Sequence, residues 1–153
     1  MINREALERI AALCRFGLLS LAEKNSSMFH KFPRGACGPA SEVLGRILKE
    51  EFQIEGMYVC ASDHSQLNQE QSHAWVEVGE FIIDITHDQF QGTGLSGWVF
   101  KRGTGWHAQF SEIDLRRNVF CTPENWPFYP HDGYHAALEK GRLQRPSATQ
   151  SLN

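Results

Sequence analysis

The chain has 153 residues, with 15 lysines and arginines against 18 acidic residues, a formal charge of −3. That length fits one domain, able to bury roughly 70% of its unfolded surface and to fold without a metal or disulfide staple. The absence of a basic stripe argues against an electrostatic nucleic-acid binder, no apolar run reaches the roughly 20 residues of a membrane span, and ten phenylalanines with four tryptophans argue against disorder.

Residues 3–23 predict an amphipathic helix, with Ala6, Leu7, Ile10, Leu13, Cys14, Gly17, Leu18 and Leu21 at three- and four-residue steps and Asn3 as its cap. A loop punctuated by Pro33 and Gly35 follows. A second helix is predicted to begin near Cys37, with Pro39 in its first turn, where a missing N–H costs nothing. Ala40, Val43, Leu44, Ile47, Leu48 and Phe52 form its apolar stripe; Glu42, Arg46, Lys49 and Glu50 lie outside it, and Gly56 is the expected stop.

Strands are predicted next, over 57–61, 73–78 and 81–86. A polar loop spans 62–72, and Gly79-Glu80 suits a two-residue hairpin turn with glycine first. Residues 95–101 and 106–110 are further strand candidates. Residues 122–132 carry three prolines and are expected to be irregular. A last helix is expected over about 132–143 and a frayed tail over 145–153, so that 1–144 form the single domain.

Cys14, Cys37, Cys60 and Cys121 have no short paired spacing, so neither a zinc ribbon nor a thioredoxin-like motif is present. Residues 10–22 are the one stretch resembling a secretory signal, but Arg15 interrupts it and Glu5 and Glu8 acidify its start. The expectation is a cytoplasmic protein, or one delivered as an effector, with reduced cysteines.

The hairpin carries the chemistry. If Val78 pairs with Phe81, then Trp75 lies opposite Asp84 and His73 opposite Thr86. Ala74, Val76, Val78, Phe81, Ile83 and Ile85 share a wholly apolar face that must be buried. His73, Trp75, Glu77, Ile82, Asp84 and Thr86 share the other. His73 and Asp84 become diagonal neighbours, about 7–8 Å apart at the backbone, which inward-leaning side chains can close to a hydrogen bond. Such a pair orients an imidazole and stabilises its charged form. Cys37 is the matching nucleophile, because a helix start favours a thiolate and Gly35 and Gly38 leave its backbone open to a substrate carbonyl. Its N–H offers half of an oxyanion hole, with Asn25 and Gln89 as the amides available for the other half.

The blocks Gly35-Ala36-Cys37, 73–78 (HAWVEV) and 82–86 (IIDIT) resemble the transglutaminase-like, papain-related cysteine enzymes. The resemblance covers about residues 33–90. Ile85 departs from the Pro that many members carry after the Asp, and the spacer from Cys37 to His73 is short. The resemblance implies an α+β fold, helices on an antiparallel sheet, with a catalytic Cys37–His73–Asp84 triad and no cofactor. It implies acyl transfer from a protein or peptide amide through a Cys37 thioester. Relatives include proteases, protein deamidases, cross-linking enzymes and bacterial effector toxins.

Two other classes compete: an inactive binding module on the same fold, and a Cys37–His73–Asp84 zinc site, disfavoured because a carboxylate bonded to an imidazole normally backs a metal ligand rather than binding the metal. Asp88 is a rival orienter, ranked lower because it lies beyond the strand. Cys14, Cys60 and Cys121 are read as structural. His64, His87, His107, His131 and His135 are scattered singly and are read as ordinary core or surface residues. At least one of Trp75 and Trp106 belongs to the core. Gln66, Asn68, Gln69 and Gln71, in the loop before His73, are placed at the rim of the site.

Overall fold

The computed structural model describes residues 2–121, 124 and 126–144. Asn3 caps the first helix as expected, its side-chain oxygen accepting from the Glu5 and Ala6 amides at 2.8 and 3.4 Å. Helix α1 (Arg4–Leu19) buries Leu7, Ile10, Ala11, Cys14, Gly17 and Leu18; residues 20–23 form turns rather than extending it. Gly17 is required by close packing, since a Cβ there would sit 2.5 Å from the Cα of Ala137 in the last helix.

Helix α2 (Cys37–Phe52) starts at the predicted residue. It ends at Gln53, which takes the left-handed conformation at φ 54°, and not at Gly56. Gly56 answers a packing constraint instead, as a Cβ there would meet Val76 Cγ1 at 2.9 Å. Glu42, expected outside the buried stripe, is buried and ion-paired with Arg117.

The strands are β1 (Met57–Ser62), β2 (Ser72–Val78), β3 (Phe81–Ile83), β4 (Val99–Lys101) and β5 (Glu112–Asn118). They form one antiparallel sheet in the order β4-β3-β2-β1-β5. With α3 (His131–Gln144) packed across α1 and α2, the architecture is α+β. Strand β5 has no counterpart in the sequence reading. Its charged residues and exposed pattern are those of an edge, where charge opposes pairing with other chains and hides the alternation of a half-buried strand. Residues 106–110, read as a strand, instead form a short 3-10 helix (Trp106–Gln109) launched from Gly105 at φ 72°. The stretch 95–101 is extended only from Val99, after Gly94 and Gly97 at φ 73°. The expected tail, 145–153, and part of the expected irregular segment lie outside the described residues.

The hairpin has the predicted register: Val78 opposite Phe81, Glu77 opposite Ile82, Val76 opposite Ile83. Gly79 opens its turn at φ 56°. The pairing then stops. Asp84 Oδ1 accepts the Thr86 amide at 3.0 Å, a local turn that competes with the ladder, and the Asp84 N–H donates to Trp98 O at 2.8 Å. The expected pairs Trp75–Asp84 and His73–Thr86 therefore do not form as ladder pairs, and β2 lacks a β3 partner along 73–75.

One sheet face packs on the helices through Val76, Val78, Ile83, Ile85 and Val99. The other carries a smaller, aromatic cluster of Val59, Ala61, Trp75, Ile82, Trp106 and Phe110. Glu77 on that face is buried, accepting from Trp75 Nε1 at 3.3 Å and paired with Arg102 and Arg116. It therefore has the polar role its position alone did not reveal. Among the described residues no helix is long and apolar enough to cross a membrane.

Candidate active site

The gap left by the short β3 is where the predicted residues meet. Cys37 is the first residue of α2, and no acidic side chain occupies the first turn to neutralise the positive end of the helix. Its sulfur lies near enough to the His73 ring and to the Ala74 N–H of β2 for both to favour its thiolate. The Ser41 hydroxyl donates to Cys37 O at 2.6 Å, fixing the turn that carries the thiol.

His73 and Asp84 are fully buried and joined, Nε2 to Oδ2, at 2.7 Å. The same Oδ2 lies 2.7 Å from Nε2 of His107. An ionised carboxylate only accepts, so both imidazoles present Nε2–H to it. This leaves Nδ1 of His73 as the nitrogen that faces the thiol. Gln89 Nε2 lies 3.5 Å from that Nδ1, while Gln89 Oε1 accepts the Gly35 N–H at 3.3 Å. The Gln89 amide thus spans from the loop before Cys37 to the imidazole. Asn25, the other amide considered, is exposed in the preceding loop.

Protonation equilibria follow from these contacts. Burial pushes the Cys37 thiol up, but the His73 hydrogen bond and charge, aided by the Ala74 N–H, outweigh it and lower its pKa. The other cysteines all move the opposite way: burial raises Cys14 to about 12 and also raises Cys60 and Cys121. Burial disfavours charged His73, yet the Asp84 carboxylate holds the imidazolium and raises its pKa to about 9. Burial likewise opposes ionised Asp84, but its two imidazole partners hold it well below the usual carboxylate range. The coupled groups thus favour thiolate, imidazolium and carboxylate in sequence.

Three residues near the site differ from their sequence reading. His107, taken as an ordinary lone histidine, is buried against Trp75, Phe100 and Trp106 with ring centroids 5.1–5.2 Å away and bonds the site carboxylate. Cys60, whose place in an apolar strand predicts a core residue, is only half-buried, opposite Ala74 on the helix side of β1. Arg15, noted only as a charge within an apolar stretch, donates to Ile85 O at 2.6 Å and binds both oxygens of Asp88. That occupies Asp88, the rival orienter, and anchors the segment between Asp84 and Gln89. No signal in the sequence linked His107 to Asp84, because 23 residues with no continuous periodicity separate them.

Trp75 and Trp106 are both buried. Of the rim loop, Gln66 Oε1 accepts from Trp106 Nε1 at 2.8 Å and Gln71 Oε1 from Asn68 N at 2.9 Å. His64, in the same loop, is buried with Nε2 2.9 Å from Trp106 O.

His73, Asp84 and His107 also offer ligand atoms within 4.8 Å of one another. Tetrahedral zinc, with bonds of about 2.0–2.1 Å, holds its ligands roughly 3.3 Å apart. The two 2.7 Å contacts are too close for that and suit charge-assisted hydrogen bonds, so the trio does not fit a zinc centre without opening.

Fold and site together define an α+β domain with a thiol, an imidazole and a carboxylate aligned beside an aromatic cluster. Comparison with protein-family models, curated proteins and solved structures found no match.

Proposed function

We propose that the protein is a cysteine-dependent acyl-transfer enzyme with a papain-like or transglutaminase-like core, acting on a protein or peptide amide. The carrying observation is Cys37 at the positive end of α2, beside a His73 ring whose far nitrogen is bonded to buried Asp84. Cys37 Sγ attacks the carbonyl carbon. The oxyanion is met by the Cys37 N–H at the α2 terminus and by the Gln89 amide. As the C–N bond breaks, His73 gives its proton to the leaving amine, and the acyl group remains on sulfur as a thioester. His73, now neutral, takes a proton from water or an incoming amine, which attacks the thioester and releases Cys37. Asp84 keeps the imidazole in the required tautomer and stabilises its charge throughout. The reaction needs no cofactor.

Iodoacetamide labelling with peptide mapping tests the nucleophile. Cys37 is expected to alkylate fastest of the four cysteines, with a rate that titrates below the free-thiol pKa of about 8.5. Faster labelling of Cys60 or Cys121 would remove the assignment. A Cys37 no more reactive than a free thiol would identify an inactive binding module. Incubation with peptide amides, glutamine-containing proteins and ubiquitin-like conjugates, read by intact mass, then separates hydrolysis, deamidation and amine transfer. Cys37→Ala is expected to abolish every such mass change.

A further inference from the structure

Beside the nucleophile, on the helix side of the sheet, lies a pocket of about 410 Å³ bounded by Gly38, Pro39, Tyr58, Phe120 and Trp126, with Glu42 and Arg117 at its polar wall. It begins one residue from Cys37: the Tyr58 hydroxyl stands over Gly38, 3.4 Å from where a Cβ would be. Strand pairing explains the convergence. Arg117 of β5 is opposite Tyr58 of β1, and both face the first turns of α2.

The two charges in this pocket are already spent on each other. Glu42 is buried and ion-paired with Arg117, and its Oε2 also accepts the Phe120 N–H at 2.8 Å. The Arg117 guanidinium is stacked between rings, 4.2 Å from the Tyr58 centroid and 4.0 Å from that of Phe120. A charged group entering here would lose part of its hydration and find Glu42 and Arg117 already paired with each other. A flat apolar group would meet Phe120, Trp126, Pro39 and the Tyr58 ring. Burial raises the Tyr58 phenol to about 12, so its hydroxyl stays neutral. The volume lies within the usual range for pockets that seat one ligand group, roughly 300–1,000 Å³.

We infer that this pocket is the specificity site of the enzyme, and that it seats an uncharged aromatic or large aliphatic side chain carried by the acyl half of the substrate. The inference rests on Cys37 being the nucleophile. The acyl half stays covalently attached to Cys37 in the thioester, so a side chain seated one residue away holds the carbonyl in the oxyanion site through both half-reactions. The same contact excludes acyl groups that lack the anchor. The ion pair gives the pocket a fixed polar wall that rejects Lys, Arg, Asp and Glu side chains, and the preference is set by Phe120 and Trp126.

The test is inactivation by vinyl sulfones of N-acetylated dipeptides carrying Phe, Leu, Gly, Lys or Glu at either acyl-side position, read by intact mass, with iodoacetamide as a reagent that has no side chain. Probes with Phe or Leu at one position are expected to inactivate at least about ten times faster than Gly-Gly. Lys or Glu at that position should confer no gain. Trp126→Ala and Phe120→Ala should each bring the Phe-to-Gly ratio close to one, and Trp126→Phe should restore it. Iodoacetamide labelling of Cys37 shows that each variant keeps its folded site. Equal rates for all probes, a preference for Lys or Glu, or a Phe-to-Gly ratio unmoved by both alanine variants overturns the pocket assignment while the nucleophile stands. Failure of iodoacetamide and every probe to select Cys37 overturns the acyl-transfer reading, and the pocket assignment with it.

Discussion

On the helix side of the sheet, the core is mainly Leu, Ile, Val and Ala from three helices and the inward residues of β2, β3 and β4. On the other side, a smaller cluster of Trp75, Trp106, Phe110 and a few aliphatics surrounds His73, Asp84 and His107. Aliphatic chains fill space but offer nothing to an imidazole. Aromatic rings pack against it edge-on or stacked, exclude water and leave its N–H groups free for the carboxylate. His73 meets Phe90 edge-on at 4.9 Å and Phe110 stacked at 6.5 Å while keeping its bond to Asp84. The difference separates two jobs. The aliphatic side holds the fold, and the aromatic side keeps His73, Asp84 and His107 away from water and in fixed orientations.

The strongest way to break that division is Asp84→Asn. The isosteric amide should leave the protein folded but lower kcat by about 10³–10⁴-fold, because it no longer holds the working imidazole tautomer. In the unaltered protein the rate should rise as Cys37 ionises and fall as His73 loses its proton near pH 9. The variant removes the charge that raises His73, so its falling limb should move to lower pH. Stability follows the same sign. The His73 contribution is complete below its ordinary value of 6.5 and lost as pH rises through about 9, and the variant should lose that dependence. Thermal melts across pH and rate profiles on an identified substrate check both.

Ile83→Ala probes the other side. Ile83 is buried in the aliphatic cluster, and its truncation should destabilise by about 2–5 kcal/mol in a urea titration. Per folded molecule, Cys37 alkylation should be unchanged. A loss of reactivity without a loss of stability would mean that the two sides are not separate.

The smallest effect sharpens the role of His107. His107→Phe keeps the ring packing but removes the second donor to Asp84 Oδ2. It should cost about tenfold in kcat, the worth of one hydrogen bond to a charged group, and shift the falling limb less than Asp84→Asn does. His107→Gln keeps a donor and should recover most of the rate. If the two variants behave alike, His107 serves only as packing.

The helices and the hairpin were legible because their periodicities are strong. Asn3, the α2 stripe and the alternation from Ala74 to Ile83 each specify a local answer, and the register followed from one turn. The His73–Asp84 contact was legible for the same reason, since Asp84 directly follows the strand whose register the turn sets, although the ladder stops one residue before it. What was hidden depends on distant partners. Glu42 reads as lying outside the buried stripe, and Glu77 only as a member of the His73 face, until Arg117, Arg102 and Arg116 are brought to them by sheet order. Strand β5 disguises itself with charge because it is an edge. His107 joins the site from a single 3-10 turn, which has no period to detect. Asp84 itself truncated the predicted strand, because its side chain bonds the Thr86 amide in place of a ladder partner.

The Arg15 clamp also bears on when the site comes into being. Arg15 reaches Ile85 across 70 residues, and Glu8 of the same helix accepts the Trp98 amide across 90. Closing such loops is the slow part of reaching a native topology, because the entropy of closure is lost before the contacts that reward it exist. The carboxylate and the Gln89 amide take their places only once α1 has met the segment around Ile85 and Trp98, and His107 must arrive as well. Cys37 precedes His73 and Ala74 in the chain, but those groups, which lower its thiol, sit on a strand held by contacts from many other segments. The nascent polypeptide therefore carries an ordinary cysteine, and the reactive one is a property of the nearly finished fold.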